Sequence, residues 1–288
     1  ITGLFVMVGC GSEQSKQEPK DLHLTYVKSP QNIPSIIEKQ NGIMEKAFKE
    51  KNIGVTYSEI TEGPKQTAAL ESGDIDIATV LGGTSAILAK ANGADIKIIG
   101  MYSRAPKAFV LITKNPDIQS VKDLEGKKVM GPKGTILHQL LLTALDKNGM
   151  TANDVEFING GIPQAASALD SGDVDVAMVA GPVALKAIQQ GARVVVSGEG
   201  YIDGSIVIAT SGKFAKEHPD VVKAFLAAVK KGYEYCVQSP DEAADILLKA
   251  VPELNRDLVH QSQKFLSAKY IDDAEKWGTI DPARWQRF

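Results

Sequence analysis

Cysteine and histidine are both scarce in this sequence of 288 residues. Two cysteines, Cys10 and Cys236, are too few for a disulfide framework, and a core of this size does not need one. Cys236 lies in the helical-looking stretch AFLAAVKKGYEYCVQ and is predicted to be a small buried apolar residue rather than a nucleophile. The four histidines lack the paired spacing of metal ligands, so neither a metal nor a cofactor is expected; they are His23, His138, His218 and His260.

Long apolar runs and blocks of like charge are also missing. No stretch reaches the roughly 18 consecutive apolar residues of a transmembrane helix, so no helix is expected to span a membrane. The formal net charge is −3 and both signs are mixed along the chain, which gives no electrostatic case for binding nucleic acid. The length suggests roughly two domains.

The signatures of common enzymes are absent as well. The sequence contains no G-x-S-x-G motif and no cysteine in an activated setting, so nothing predicts a covalent nucleophile. The loop GPKGT at residues 131–135 is rich in glycine, but Lys133 does not follow the Gly-Lys-Ser/Thr order of a phosphate loop. The chain is therefore predicted not to be an enzyme.

The first 20 residues differ in composition from the rest. The apolar stretch ITGLFVMVGC is followed directly by the polar stretch GSEQSKQEPK. This change is typical of the end of a signal peptide and a tether, so residues 1–20 are predicted to be a signal-peptide remnant. Val8, Gly9 and Cys10 resemble a bacterial lipobox, which implies cleavage before Cys10 and a lipid on its thiol. A short buried strand is the alternative interpretation of the apolar letters.

Against these absences stands one repeated phrase. LESGDIDIA at residues 70–78 returns as LDSGDVDVA at residues 169–177, 99 residues later. In both copies a proline opens a helix, a glycine ends it and a β-branched run follows, which indicates a buried strand. The two aspartates that both copies share, at 74 and 76 and at 173 and 175, are predicted to make turn and strand-edge hydrogen bonds. Coincidence of common turn chemistry is the alternative explanation.

Helices and strands alternate around both copies of the phrase, which predicts an α/β protein of two similar Rossmann-like lobes with parallel sheets. Lobe one is predicted to comprise residues 21–104 and 209–288, and lobe two residues 105–208 with the hinge strands. The helical stretches near the end of the chain, from residue 218 onward, are expected to pack back on lobe one.

Four loops between a strand and a helix are the predicted ligand contacts; they are KSPQN (28–32), LGGTS (81–85), GPKGT (131–135) and AGPVA (180–184). In a parallel sheet such loops lie at the carboxyl ends of the strands, and each exposes a helix N-terminus that favours an anion. A simple helix cap is the alternative role for each serine or threonine. The predicted ligand-binding residues of these loops are Ser29, Gln31, Asn32, Gly83, Thr84, Ser85, Gly134, Thr135, Gly181 and Pro182. His138, one turn into the helix after GPKGT, is a further predicted ligand contact, and a surface or core-edge position is its alternative.

Two charged residues flank the predicted passages between the lobes. Arg104 could pair with a ligand carboxylate or sulfonate, and Asp203 could meet a ligand amine. An inter-lobe or solvated ion pair is the alternative for Arg104, and a turn is the alternative for Asp203. Tyr102, Phe109 and Tyr201 could stack on a ligand or pack in the core.

From about Leu22 onward the chain resembles the solute-binding proteins of bacterial ABC importers, of the nitrate, sulfonate and taurine type that is related to thiamine-pyrimidine-precursor binders. The repeated SGDxD phrase and the segments SVKDLEGKKVMGPKGT and FAKEHPDVVKAFLAAVKKG carry the resemblance. It implies a type II periplasmic-binding fold, with crossing strands near 105–112 and 202–209 and lobes that close by hinge motion.

The resemblance also implies a function. A monomer outside the cytoplasm, anchored to the cell membrane by lipid on Cys10, would bind a small anionic or zwitterionic ligand and deliver it to a permease. Sulfonate, taurine or nitrate is the expected ligand class. The alternatives are a thiamine-related pyrimidine precursor, a sensing domain, or a pyrimidine-synthesising enzyme, although the Cys-Cys-Cys-Phe-Cys motif of the enzyme relatives is absent.

Overall fold

The structure is a computed structural model that describes residues 18–28, 32–252, 254–257 and 259–260. Cys10 and the rest of the predicted signal remnant up to residue 17 lie outside these residues, as do Ser29 and Gln31. The strands are β1 (Asp21–Tyr26), β2 (Gly54–Glu59), β3 (Ile77–Gly82), β4 (Ile96–Arg104), β5 (Phe109–Thr113), β6 (Lys128–Gly131), β7 (Glu156–Asn159), β8 (Val176–Ala180), β9 (Arg193–Ser197) and β10 (Ser205–Ser211).

Helices follow most of these strands and cover both sheets. They are α1 (Ile33–Gln40), α2 (Ile43–Lys49), α3 (Gly63–Ser72), α4 (Gly83–Ala91), α5 (Ile136–Lys147), α6 (Ile162–Ser171), α7 (Gly181–Gln189), α8 (Gly212–Glu217), α9 (Pro219–Gln238) and α10 (Pro240–Ala250). Short 3₁₀ turns occupy Pro106–Ala108, Val121–Leu124 and Ala152–Asp154. None of the helices in the described part of the chain is long and apolar enough to cross a membrane.

The strands form two five-stranded sheets with the same plan. The strand order is β2-β1-β3-β10-β4 in lobe one and β7-β6-β8-β5-β9 in lobe two. The two α/β lobes predicted from the repeat are therefore confirmed. Each sheet is mixed, with a parallel part as expected, because β10 and β5 each run antiparallel to both of their neighbours.

The passage of the chain between the lobes explains the antiparallel strands. β4 ends at the edge of its sheet that faces lobe two, and the chain crosses through residues 105–108 into β5. A strand that begins at the end of its sheet facing the other lobe must run antiparallel to the strands that finish at that end. The same holds for β10 after the return through residues 198–204. β10 pairs with β4 from Ser205 to Ser211, so the predicted boundary between residues 208 and 209 falls inside a lobe-one strand.

The repeated phrase has the same structure in both lobes. α3 and α6 have a proline in the first turn and end at Gly73 and Gly172, whose φ angles of 80° and 81° require glycine or strain. In the turn that follows, Ser72 Oγ donates to Asp74 Oδ2 at 2.7 Å, and Ser171 Oγ donates to Asp173 Oδ2 at 2.6 Å.

The last aspartate of each phrase, Asp76 or Asp175, joins neighbouring strands. Asp76 Oδ2 accepts the backbone N–H of His23 at 2.7 Å, and Asp175 Oδ2 accepts that of Lys128 at 2.9 Å. Both bonds lie where β1 and β6 begin, which is the end of each sheet away from the other lobe. The predicted turn and strand-edge roles of the aspartates are thus what the geometry has.

Apolar side chains fill the space between each sheet and its helices. One cluster lies between the lobe-one sheet and α2 and α9, and it includes Phe48 and Phe225. Another lies under α3 and α4 on the opposite face. Cys236 on α9 is fully buried, as predicted. α9 packs on α1 and α2, so the expected return of the late helices to lobe one is confirmed for α9 and α10.

Candidate functional site

The four predicted loops lie at the carboxyl ends of their strands, and three of them lead directly into a helix at a described residue. α4 begins at Gly83, α5 at Ile136 after Thr135, and α7 at Gly181, with Pro182 in its first turn. The first loop is described only at its two ends, Lys28 after β1 and Asn32 before α1. Helix N-termini from both lobes thus point toward the space between the sheets, where unpaired N–H groups favour an anion.

Two of these loops touch each other across the lobes. Thr84 Oγ1 donates to Gln139 Oε1 at 2.6 Å, and Ser85 Oγ donates to the carbonyl oxygen of Gly134 at 2.9 Å. Neither hydroxyl makes a capping bond to its own helix, so simple capping does not explain them. The structure therefore brings Thr84, Ser85 and Gly134 together, and it adds Gln139, which no sequence motif identifies.

Asn32 is buried beside the first loop. Its side-chain Nδ2 donates to the carbonyl oxygen of Val27 at 3.2 Å, which ties the two ends of the loop together. Its backbone carbonyl accepts from Ser35 Oγ at 3.0 Å. The amide side chain thus serves the loop itself in this conformation. Ser35 N also donates to the hydroxyl of Tyr102 at 3.2 Å.

Tyr102 connects this helix terminus to the core. It is 4% exposed, its ring meets that of Tyr233 edge to face at 5.6 Å between centroids, and Tyr233 donates its hydroxyl proton to the Tyr102 carbonyl. Of the two roles considered for Tyr102, core packing is therefore the one observed. Sequence patterns did not identify its link to α1, because a tyrosine hydroxyl that binds a remote N–H leaves no local signal.

His138 and Thr135 lie within lobe two. The Nδ1 atom of His138 accepts from Gly134 N at 3.4 Å, and its ring lies 4.9 Å from that of Phe157. Burial and the nearby Lys133 ammonium lower the pKa of His138 below its ordinary value, which favours the neutral ring. Thr135 Oγ1 donates to the Pro132 carbonyl at 2.8 Å, inside its own turn. Both side chains shape the GPKGT loop.

Arg104 and Asp203 pair with each other where the chain crosses between the lobes. Arg104 Nε donates to Asp203 Oδ1, and Ser205 Oγ donates to Asp203 Oδ2. The Asp203 side chain is 12% exposed, whereas that of Arg104 is 48% exposed. The ion pair considered for Arg104 is therefore present, and the guanidinium still reaches solvent.

A groove of about 430 Å³ lies beside the contact between the two loops. Its walls are α3 and α4 of lobe one, with the Lys133–Gly134 segment of lobe two at one end. The groove thus adjoins Ser85 and Gly134 but lies away from the Arg104–Asp203 pair. Among the described residues, no group of three histidine, cysteine or acidic side chains is placed to hold a metal ion.

A two-lobed fold with paired glycine loops between the lobes can now be compared with known proteins. The model of the "NMT1/THI5 like" family matches residues 30–243, which is most of the chain. The chain belongs to this family. The match spans both lobes, three of the candidate loops in full and the first loop from residue 30 onward.

Individual relatives agree with this assignment. A Bacillus subtilis (strain 168) protein named "Putative aliphatic sulfonates-binding protein" is 34% identical over 270 residues, which are 92% of this chain and 80% of the relative. The taurine-binding periplasmic protein of Escherichia coli (strain K12) is 28% identical over 197 residues, covering 67% of this chain and 61% of that protein.

A solved structure confirms the fold. The alkanesulfonate-binding protein SsuA from Xanthomonas axonopodis pv. citri, bound to MOPS, superposes with a TM-score of 0.77 at 25% identity, covering 86% of this chain and 84% of SsuA. This member of the NMT1/THI5-like family therefore has the type II periplasmic-binding architecture that the sequence resemblance implied.

Proposed function

We propose that this protein is the extracytoplasmic solute-binding component of an ABC importer, and that it captures a small sulfonate in the space between its lobes. The supporting observation is a contact between the lobes: the glycine-rich loop LGGTS of lobe one meets the glycine-rich loop GPKGT of lobe two across one cleft, in a chain whose relatives are named for binding sulfonates and taurine. Capture and release by lobe movement needs no catalytic group, so we propose binding rather than catalysis.

A sulfonate fits the electrostatics of the candidate site. Its three oxygens accept hydrogen bonds and carry one negative charge, which suits the N-termini of α1, α4, α5 and α7. We propose that Arg104 supplies the full positive charge through its terminal guanidinium nitrogens, while its Nε stays on Asp203. The predicted contacts of Ser29, Gln31, Asn32, Gly83, Thr135, His138, Gly181 and Pro182 remain part of this proposal.

Asp203 takes a second role in the proposal. Its carboxylate holds Arg104 and Ser205, and a ligand with an amine, such as taurine, would bring a positive charge toward this same carboxylate. A simple alkanesulfonate lacks that charge. We therefore expect Asp203 to affect the preference between taurine and alkanesulfonates more than it affects the binding of the sulfonate group.

The cellular setting is part of the proposal as well. Lipid on Cys10 would hold the protein, as a monomer, at the cell membrane. Lobe one (residues 21–104 and 209–288, to which β10 adds residues 205–208) and lobe two would move as units. The closed form would deliver its ligand to a permease. Mass spectrometry of the protein from membranes tests the anchor, because diacylglyceryl-modified Cys10 would be the N-terminal residue of the mature chain.

Thermal unfolding with a panel of compounds tests the ligand class. A ligand that binds only the folded state stabilises it by about 2.7 kcal/mol at a hundredfold excess over Kd, which raises Tm by several degrees. We expect a shift with alkanesulfonates or taurine and none with carboxylates of matched chain length. The panel also contains nitrate and thiamine-related pyrimidines.

The other outcomes are informative. A shift with a thiamine-related pyrimidine alone would replace the sulfonate proposal with the precursor-binding alternative. If chromatography shows that the protein chemically converts any compound of the panel, the proposed binding function is contradicted. Native mass spectrometry of the purified protein shows whether a ligand is already bound, in which case the panel is repeated after unfolding and refolding.

A further inference from the structure

Two side-chain hydrogen bonds join the lobes at a distance from the crossing segments. Thr84 at the start of α4 reaches Gln139 on α5 with an oxygen-to-oxygen distance of 2.6 Å. Ser85 reaches the Gly134 carbonyl with a distance of 2.9 Å.

The surroundings of Ser85 are shaped for this contact. A Cβ placed on Gly63 would lie 2.2 Å from Ser85 Oγ, so the serine occupies space that any other residue at position 63 would take. Ser85 is 3% exposed, and its hydroxyl donates to the Gly134 carbonyl of lobe two. The side chain is thus packed closely against Gly63 while its hydroxyl reaches lobe two.

These bonds use the protons that the two hydroxyls could offer to a ligand. A threonine or serine hydroxyl has one proton to donate. In this conformation both protons point to lobe-two oxygen atoms, so neither side chain donates a hydrogen bond to an anion. Their effect on ligand capture would then be exerted through the relative position of the lobes.

We propose that Thr84, Ser85, Gln139 and the Gly134 carbonyl form a latch that stabilises the closed arrangement of the lobes, with Gln139 as a positioning residue for ligand capture. This inference rests on the proposed function. A ligand held between lobes dissociates when they open, and the apparent affinity falls with the fraction of closed protein. Loss of the latch should therefore speed dissociation without removing any ligand contact.

A double-mutant cycle on Thr84→Val and Gln139→Leu tests the latch. With butanesulfonate and taurine as probes, each single variant should raise the dissociation rate about three- to tenfold, the effect of one neutral hydrogen bond. The double variant should dissociate no faster than the faster single variant, because both changes remove the same bond. Gln189→Leu, at an exposed position of α7 in the same lobe, should leave the rate unchanged.

Two results would overturn the latch. If the increase in dissociation rate of the double variant equals the product of the increases in the two single variants, Thr84 and Gln139 act independently, as two separate ligand contacts would. Unchanged rates would mean that the bond does not stabilise closure. If the original protein binds neither probe, the sulfonate proposal fails, and the latch is judged by small-angle X-ray scattering of the ligand-free proteins. A radius of gyration that is equal in the original protein and Gln139→Leu then overturns it.

Discussion

At the level of single residues, Glu38 on α1 is the most deeply buried acidic side chain in the described part of the chain. It is 3% exposed, none of the described residues gives its Oε1 atom a hydrogen bond, and a Cβ on Gly232 would lie 2.6 Å from that atom. Burial raises the pKa of Glu38 well above its ordinary value of 4.5. The folded protein therefore holds a proton there that the unfolded chain releases at lower pH.

This difference predicts a pH-dependent effect of Glu38→Gln. Because the pKa is higher in the folded state, the stability that protonation contributes is fully present below pH 4.5 and is lost as pH rises toward the folded-state pKa. The glutamine variant stays neutral throughout, so it should be more stable than the original protein near neutral pH. The gap should shrink toward pH 4.5 in urea unfolding experiments. A gap that does not vary with pH would contradict the buried acid.

Arg104 is the residue on which anion binding depends in our proposal. Removing its charge with Arg104→Gln should weaken sulfonate binding by roughly tenfold to a hundredfold, since a hydrogen bond to a charged group contributes about 1.5–3 kcal/mol. Isothermal titration calorimetry measures the change. Lys107→Gln is the matched control, because Lys107 is exposed on the same crossing and pairs with Glu199. Equal losses in both variants would indicate a general charge effect rather than a contact.

At the scale of elements, the repeated phrase attaches the third strand of each sheet to its neighbours. Asp76 holds the start of β1 through His23 N, and its own carbonyl accepts from Thr210 Oγ1 of β10 at 2.6 Å. In lobe two, the carbonyl of Asp175 accepts from Thr113 Oγ1 of β5 at 2.7 Å. The sequence similarity thus extends to the hydrogen bonds of the antiparallel strand.

Asp76→Ala should consequently affect folding and not binding. Loss of the carboxylate leaves a strand-edge N–H without its partner, which should lower the free energy of unfolding by about 1–3 kcal/mol. Asp175→Ala, its equivalent in lobe two, should have an effect of the same size. Both are measured by chemical unfolding beside a binding titration. Unchanged stability with lost ligand binding would show that the phrase belongs to the binding site after all.

At the scale of the whole molecule, the two crossing segments set how the lobes meet. Gly204 has a φ of 64°, its carbonyl accepts from Ala105 N at 3.2 Å, and a Cβ at this position would lie 2.7 Å from Pro106 N and Cα. Glycine is needed here both for its backbone conformation and for the close approach of the other segment. The crossings are therefore packed backbone against backbone.

Gly204→Ala should force these segments apart and change the relation between the lobes. Gly200→Ala is a matched control, because Gly200 has a φ of 79° but no atom in the described part of the chain lies within 4 Å of its would-be Cβ. Both variants carry the left-handed backbone cost of about 1–2 kcal/mol, and Gly204→Ala adds the clash. We expect weaker ligand binding and an altered scattering profile in Gly204→Ala alone. Equal behaviour of the two variants would mean that the crossing tolerates the clash.

The two-lobe plan could be predicted from the sequence alone, because it follows from the local preferences of residues for helix ends, turns and buried strands. Prolines and glycines at matching places fix where α3 and α6 begin and end, and β-branched runs fix the buried strands β3 and β8. The candidate loops are identified for the same reason, since each directly follows a predicted strand. Burial of Cys236 could also be predicted from the apolar face of its helix.

The contacts between those loops are visible only in the tertiary structure. The antiparallel strands β5 and β10 depend on the edge by which the chain enters each sheet, which no local pattern records. The partners of Thr84, Ser85 and Arg104 lie between 49 and 99 residues away in the sequence. A single hydroxyl or guanidinium has the same local signature whether it caps a helix, binds a ligand or holds two lobes together, so only the packing of the lobes distinguishes these roles.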